Sequence, residues 1–176
     1  MGFRSPESDT TKMRGVVARQ ETCQQTIEGN SFYAYKAALP GSTLANGAAM
    51  QMVFTTGANT NAYLWFVGQC GGDGQLAVYE NVTEVTGGSI FVPINRNRQS
   101  TKTSTCGVIN NPTAVTTNGT IYQEIILGGS GAFLSGGGDV TSQPYLMKKN
   151  TSYLFELTNN SGSAQIAEIQ LQWCEL

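Results

Sequence analysis

The stretch Thr151-Ser-Tyr-Leu-Phe-Glu-Leu157, followed by Asn159-Asn-Ser-Gly162 and then Ala167-Glu-Ile-Gln-Leu-Gln-Trp-Cys174, decides the fold class. In the last segment apolar and polar residues alternate. A period of two puts Ala167, Ile169, Leu171 and Trp173 on one face and Glu168, Gln170 and Gln172 on the other. That is the pattern of a half-buried antiparallel strand. With the turn residues Asn159–Gly162 between two such runs, the segment reads as a closing β-hairpin.

The same signals recur upstream, separated by Gly, Asn, Ser and Thr clusters. Strands are expected over Phe32–Ala38, Ala49–Thr55, Ala62–Val67, Gln75–Val82, Ser89–Asn95 and Thr120–Leu127, with Tyr145–Met147 leading into the last pair. Ala62–Val67 is apolar on both faces and reads as a central strand with Trp65 in the core. Pro93 cannot donate to a ladder, so the strand around it belongs at an edge. Residues 96–118 are mostly polar, and Gly128–Asp139 is a glycine-rich loop. The body holds eight or nine short strands and no convincing helix. This predicts an all-β, antiparallel sandwich, jelly-roll-like rather than immunoglobulin-like.

The chain divides at about residue 30. Eight of its 22 charged residues (10 basic, 12 acidic) fall at Arg4, Glu7, Asp9, Lys12, Arg14, Arg19, Glu21 and Glu28. Apolar residues there are few and aperiodic. Residues 1–29 therefore read as an extended N-terminal arm, flexible or ordered by a partner, ahead of a β-sandwich domain over 30–176. A weak helix near Thr11–Gln25 is the other reading of the arm.

Composition narrows the function. Charged residues make up 12% of the chain and the net charge is −2, so no strong field draws nucleic acid to it. No apolar run reaches the length of a membrane span, and the first residues lack a secretory leader. There is no histidine. That removes the usual base for a Ser or Cys nucleophile and the imidazole ligands of zinc hydrolases. The acidic residues fall at turns or on polar strand faces, so a two-carboxylate glycosidase finds little support. Gly128-Gly-Ser-Gly131 lacks the Lys and following helix of a phosphate cradle. Cys23, Cys70, Cys106 and Cys174 match no metal spacing and read as free thiols. Cys174 alternates onto the polar face of its strand. The expectation is a non-enzyme with no cofactor and no metal.

Several segments together resemble the small head decoration, or capsid cement, proteins of tailed bacteriophages. They are Tyr33-Ala-Tyr-Lys36 to Gly47-Ala-Ala-Met-Gln-Met52; Gln75-Leu-Ala-Val-Tyr-Glu80; Val85-Thr-Gly-Gly-Ser89 with Val92-Pro-Ile-Asn-Arg96-Asn-Arg98; and Gly128-Gly-Ser-Gly131 to Gly136-Gly-Gly138. Asn150-Thr-Ser-Tyr-Leu-Phe155 with Thr158-Asn-Asn-Ser-Gly162 completes the set. The resemblance covers about residues 30–176, in order, and does not extend to the arm. It implies a sandwich on the outer surface of the capsid in the virion, made in the host cytoplasm. It also implies the major capsid protein as partner and a homo-oligomer, with a trimer favoured over a dimer. From charge and position, Arg14, Val16, Val17 and Arg19 of the arm and Arg96 and Arg98 of the body are the expected capsid or subunit interface. The alternative is a carbohydrate- or receptor-binding module of a phage tail or fibre.

Overall fold

The computed structural model describes residues 24–117, 119–128, 137–139 and 144–176. Strands β1 (Ser31–Ala38), β2 (Ala49–Thr55), β3 (Ala62–Cys70) and β4 (Gly74–Glu80) come first. Five short strands follow: β5 (Thr83–Thr86), β6 (Ser89–Phe91), β7 (Ile94–Asn95), β8 (Gly107–Asn110) and β9 (Ala114–Thr117). The rest are β10 (Thr120–Leu127), β11 (Gly137–Asp139), β12 (Tyr145–Leu146), β13 (Ser152–Asn159) and β14 (Ala167–Glu175).

Two six-stranded antiparallel sheets pack face to face. The first has the order β11-β3-β14-β1-β7, with β12 also on β3; the second has the order β10-β4-β13-β2-β8-β6. The core lies between them. Phe32, Leu64, Phe66, Ile169, Leu171 and Trp173 come from the first sheet, and Met52, Phe54, Leu76, Phe155 and Leu157 from the second. Trp173 is its centre, with the Phe32 ring at 6.0 Å and the Phe54 ring edge-on at 5.1 Å. Such aromatic pairs add to the area they bury.

The expected closing hairpin is not formed. β13 pairs with β2 and β4 in the second sheet, whereas β14 pairs with β3 and β1 in the first. The segment after Asn159 therefore arches from one sheet to the other. β3 and β4 are joined in the same way, across Gly71–Asp73. Alternation assigns a residue to a face but does not choose its partner strand, and here the partners are far away in sequence.

Two further expectations change. Ala62, Leu64 and Phe66 face the core, so the intervening Trp65 points to the outer face of β3 and is only partly buried. Cys174 lies on the polar face of β14, as expected, yet it is buried beside Ser31 and Tyr63 of the flanking strands. Cys70, Cys106 and Cys174 are free thiols; Cys23 lies outside the described residues. Pro93 does sit at an edge. With Val92 it links β6, an edge of the second sheet, to β7, an edge of the first, so the chain changes sheet here.

The polar stretch 96–118 holds two strands that periodicity did not signal. β8 extends the second sheet, and β9 pairs with β5 as a flap. Under this flap a second apolar cluster forms on the outer side of the second sheet. Val53, Val82 and Leu154 are buried there, with Tyr79, Val85, Ile109 and Val115 packed around them. Asn81 and Asn150 adopt left-handed backbone at φ 64° and 50°, the turn role that asparagine tolerates.

Candidate functional site

The strand register gives the sandwich two unlike ends. At one end β1 begins, β14 ends and β2 hands over to β3, and residues 24–30, the last of the expected arm, lie there. Residues 24–27 form a single helical turn, closed by Glu28 N–H to Gln24 O at 2.8 Å. Arg14, Val16, Val17 and Arg19 lie outside the described residues. The arm root itself is tied to the body by the Asn95–Lys102 loop.

Asn95 organises that loop. It is buried, and its side-chain amide donates to Gly29 O at 2.9 Å and to Lys102 O at 3.1 Å. Its Oδ1 accepts from Asn97 N–H at 2.9 Å, and Asn97 Nδ2 donates to Ile27 O at 2.8 Å. An amide with two donors and an acceptor can bridge three backbone groups at once, and Asn95 and Asn97 use this to clasp residues 27–29. Lys102 Nζ adds a bond to Asn30 Oδ1 at 2.9 Å. The structure thus brings the loop carrying Arg96 and Arg98 against the root of the arm. Both arginines are exposed. Arg96 Nη1 reaches Gln172 Oε1 at 3.4 Å, and Arg98 has no partner among the described residues.

A carboxylate pins the other flank of the loop. Glu175 accepts from Ser104 Oγ, from Thr105 N–H at 3.0 Å, from Thr105 Oγ1 at 2.8 Å and from Trp173 Nε1 at 2.9 Å. Burial alone would raise its pKa, but the bonds from Ser104, Thr105 and Trp173 outweigh it and hold the carboxyl below its usual range. Glu80 at the same end binds Lys148 Nζ and accepts from Tyr153 Oη at 3.2 Å.

Of the six lysines and arginines among the described residues, Arg96, Arg98, Lys102, Lys148 and Lys149 sit at this end, and only Lys36 lies elsewhere. The acidic groups Glu28, Glu80 and Glu175 there are occupied by internal hydrogen bonds. The opposite end carries uncharged turns and Asp73. With Lys148 paired to Glu80, and Glu28 and Glu175 still charged, this end keeps a small excess of cations on a chain of net charge −2.

A second surface escaped the sequence reading. On the outer face of the first sheet, Trp65 and Tyr33 flank Gln172 in one row, and Val67 and Tyr35 flank Gln170 in the next. The Tyr33 and Tyr35 rings stack at 6.3 Å. The signal was available: Ala62, Leu64, Phe66 and Gly68 fix the inward phase of β3 and leave Trp65 outside.

No group of three or more His, Cys, Asp or Glu suited to a metal occurs among the described residues, and no helix among them is long and apolar enough to cross a membrane. Comparison with protein-family models, with curated proteins and with solved structures finds no match.

Proposed function

We propose that this chain is a virion structural protein that decorates the outer surface of a bacteriophage head and cements neighbouring subunits of the major capsid protein. The observation that carries this reading is the polarised end of the sandwich, which holds five of the six described cations, with Arg96, Arg98 and Lys102 in the loop beside residues 27–30. A cationic, arm-bearing end opposite a neutral one suits a protein that stands on an anionic surface in one orientation. Many copies on a symmetric lattice then gain by avidity.

The reading includes a jelly-roll assignment. Counting β1, β2, β3, β4, β10, β11 with β12, β13 and β14 as first to eighth, one sheet runs first-eighth-third-sixth and the other second-seventh-fourth-fifth. That order supports two interlocked Greek keys.

The test is co-sedimentation with mature, undecorated heads of the phage that encodes the chain. The native protein pellets with the heads, less so as salt rises. Arg96→Glu with Arg98→Glu binds about tenfold more weakly or worse, a loss of about 1.4 kcal/mol. Equal binding by the double variant, or no pelleting of the native protein, overturns the reading.

The outer aromatic rows favour a second reading, a carbohydrate- or receptor-binding module. Rings beside side-chain amides present the stacking and hydrogen-bonding groups a sugar needs. Competable binding on a glycan array, abolished by Trp65→Ala and accompanied by no affinity for heads, would replace the first reading with this one.

A further inference from the structure

The sheets have four margins, and three are blunted. β7 is two residues long and follows Pro93. β6 has three residues, and β11 and β12 have three and two. Beyond β7, the rest of β1 carries Lys36 opposite Ile169 on the inward side, where burial lowers the lysine pKa. An inward charge, a proline or a very short strand each discourages a further strand from adding.

β10 is built differently. It is eight residues long, Thr-Ile-Tyr-Gln-Glu-Ile-Ile-Leu, at the margin of the second sheet. It contains no proline, lysine or arginine. Its one irregularity lies between Ile121 and Gln123, leaving Gln123–Leu127 in regular register with β4. Ile126 is 87% exposed and Ile121 52%. Glu124 and Glu156 face each other across Ala77 in one row of the outer face. Their side-chain partners are the neutral amides Gln75 and Gln51. The field of both carboxylates adds to burial in raising the pKa of Tyr79. Among the described residues no strand pairs with the outer margin of β10, and the strand is apolar and flanked by negative charge.

A segment of matching chemistry lies among the 23 residues that precede Gln24. Lys12-Met-Arg-Gly-Val-Val-Ala-Arg19 has three cations, no acid and the β-branched pair Val16-Val17, suited to a strand. The arm leaves the body beside β7, at the margin opposite β10. The link from Arg19 to Gln24 spans up to about 17 Å when extended, enough to cross to an adjoining copy. A contact between opposite margins of two copies is heterologous, and it gives a ring where its rotation closes and a filament where it does not.

We propose that Lys12–Arg19 of one copy adds as a strand to β10 of the next, with Lys12, Arg14 and Val16 on the outer face beside Ile121, Glu124 and Ile126. Backbone pairing supplies the affinity and the side-chain alternation the register. The contact joins copies of this chain and does not depend on the capsid reading.

The test uses full-length chains in the absence of heads, measured by size-exclusion chromatography with light scattering. Native protein runs as an oligomer of the 18.8 kDa chain. Ile126→Lys, and separately Val16→Asp with Val17→Asp, each run as monomers with unchanged circular dichroism. Mixed, the two variants form a one-to-one dimer, because one retains its arm and the other its open β10. A monomeric native protein at about 100 µM (well above a Kd worth some −8 kcal/mol), an oligomer that survives the valine changes, or a mixture without dimer overturns the proposal. Head binding that survives in monomeric variants leaves the capsid reading intact; an oligomer without head affinity removes only that reading.

Discussion

Glu175 shows how one side chain holds a loop. Its carboxylate is served by the hydroxyl of Ser104, by the amide and hydroxyl of Thr105 and by the indole of Trp173. Because these bonds favour the charged form, the folded pKa lies below the unfolded one. Its contribution is complete above the unfolded value of about 4.3 and disappears as pH falls through the lower folded value. Glu175→Ala leaves the Trp173 N–H without its acceptor, a cost of about 1–3 kcal/mol, or several degrees in Tm for a domain of this size. Thermal melts at pH 7 should show that loss, and the gap between variant and native protein should narrow in acid. At the alkaline side, burial pushes the Cys106 thiol and the Tyr153 phenol each up to about 12. Both groups therefore support the fold below their unfolded values of about 8.5 and 10 and stop doing so as pH approaches 12. Melting temperature should decline above about pH 9, and Tyr153→Phe should make that decline shallower. A native Tm constant from pH 8 to 11 would refute this assignment.

Elements were legible in the sequence where alternation was strong, and their partners were not. β2 and β10 occur at the bounds read from the sequence, and β1, β13 and β14 within a residue or two. Each carries a run of apolar residues whose phase is set by burial on one side. The hairpin failed because Asn159–Gly162 has turn chemistry whether the chain folds back beside itself or arches over to the facing sheet. β5, β8 and β9 were missed because they are four residues each and their apolar positions, Val85, Val108 and Val115, are too few to show a period. Of the expected interface, Arg96 and Arg98 stood out as charges in a polar run. The Asn95 clasp did not, because a buried amide is indistinguishable in sequence from a turn asparagine. The flap should be the least stable of the described elements, since it rests on the small cluster of Val53, Val82 and Leu154 rather than on the main core. Val115→Ala should cost about 1 kcal/mol and speed hydrogen exchange of β5 and β9 while β3 and β14 keep their protection. Equal acceleration in all four strands would show that the flap and the sandwich open as one unit.

At the scale of the whole molecule, the order of assembly follows from where the last strand sits. β14 lies between β3 and β1, in register from Ala167 opposite Cys70 to Cys174 opposite Ser31. It supplies Ile169, Leu171 and Trp173, all fully buried, to the core. β13 likewise lies between β2 and β4. The first four strands can therefore form neither sheet until the final quarter of the chain is available. Phe32 meets Trp173, and Tyr79 meets Leu154, only by closing very long loops. Such non-local pairing places folding in milliseconds to seconds or slower. Removing Ala167–Leu176 opens the middle of the first sheet and strips the core of its central aromatic. Losing the side chains of Ile169, Leu171 and Trp173 alone costs about 7–15 kcal/mol, as much as the roughly 5–15 kcal/mol that holds a domain together. The truncated chain should show no cooperative thermal transition and should bind a dye for exposed apolar surface. A synthetic peptide of residues 163–176 added in trans should restore a sigmoidal melt, because the slot between β3 and β1 specifies both faces of the strand. A cooperative melt of the truncated chain without the peptide would mean that β3 and β1 can close on each other, and that the register of the first sheet is not set by β14.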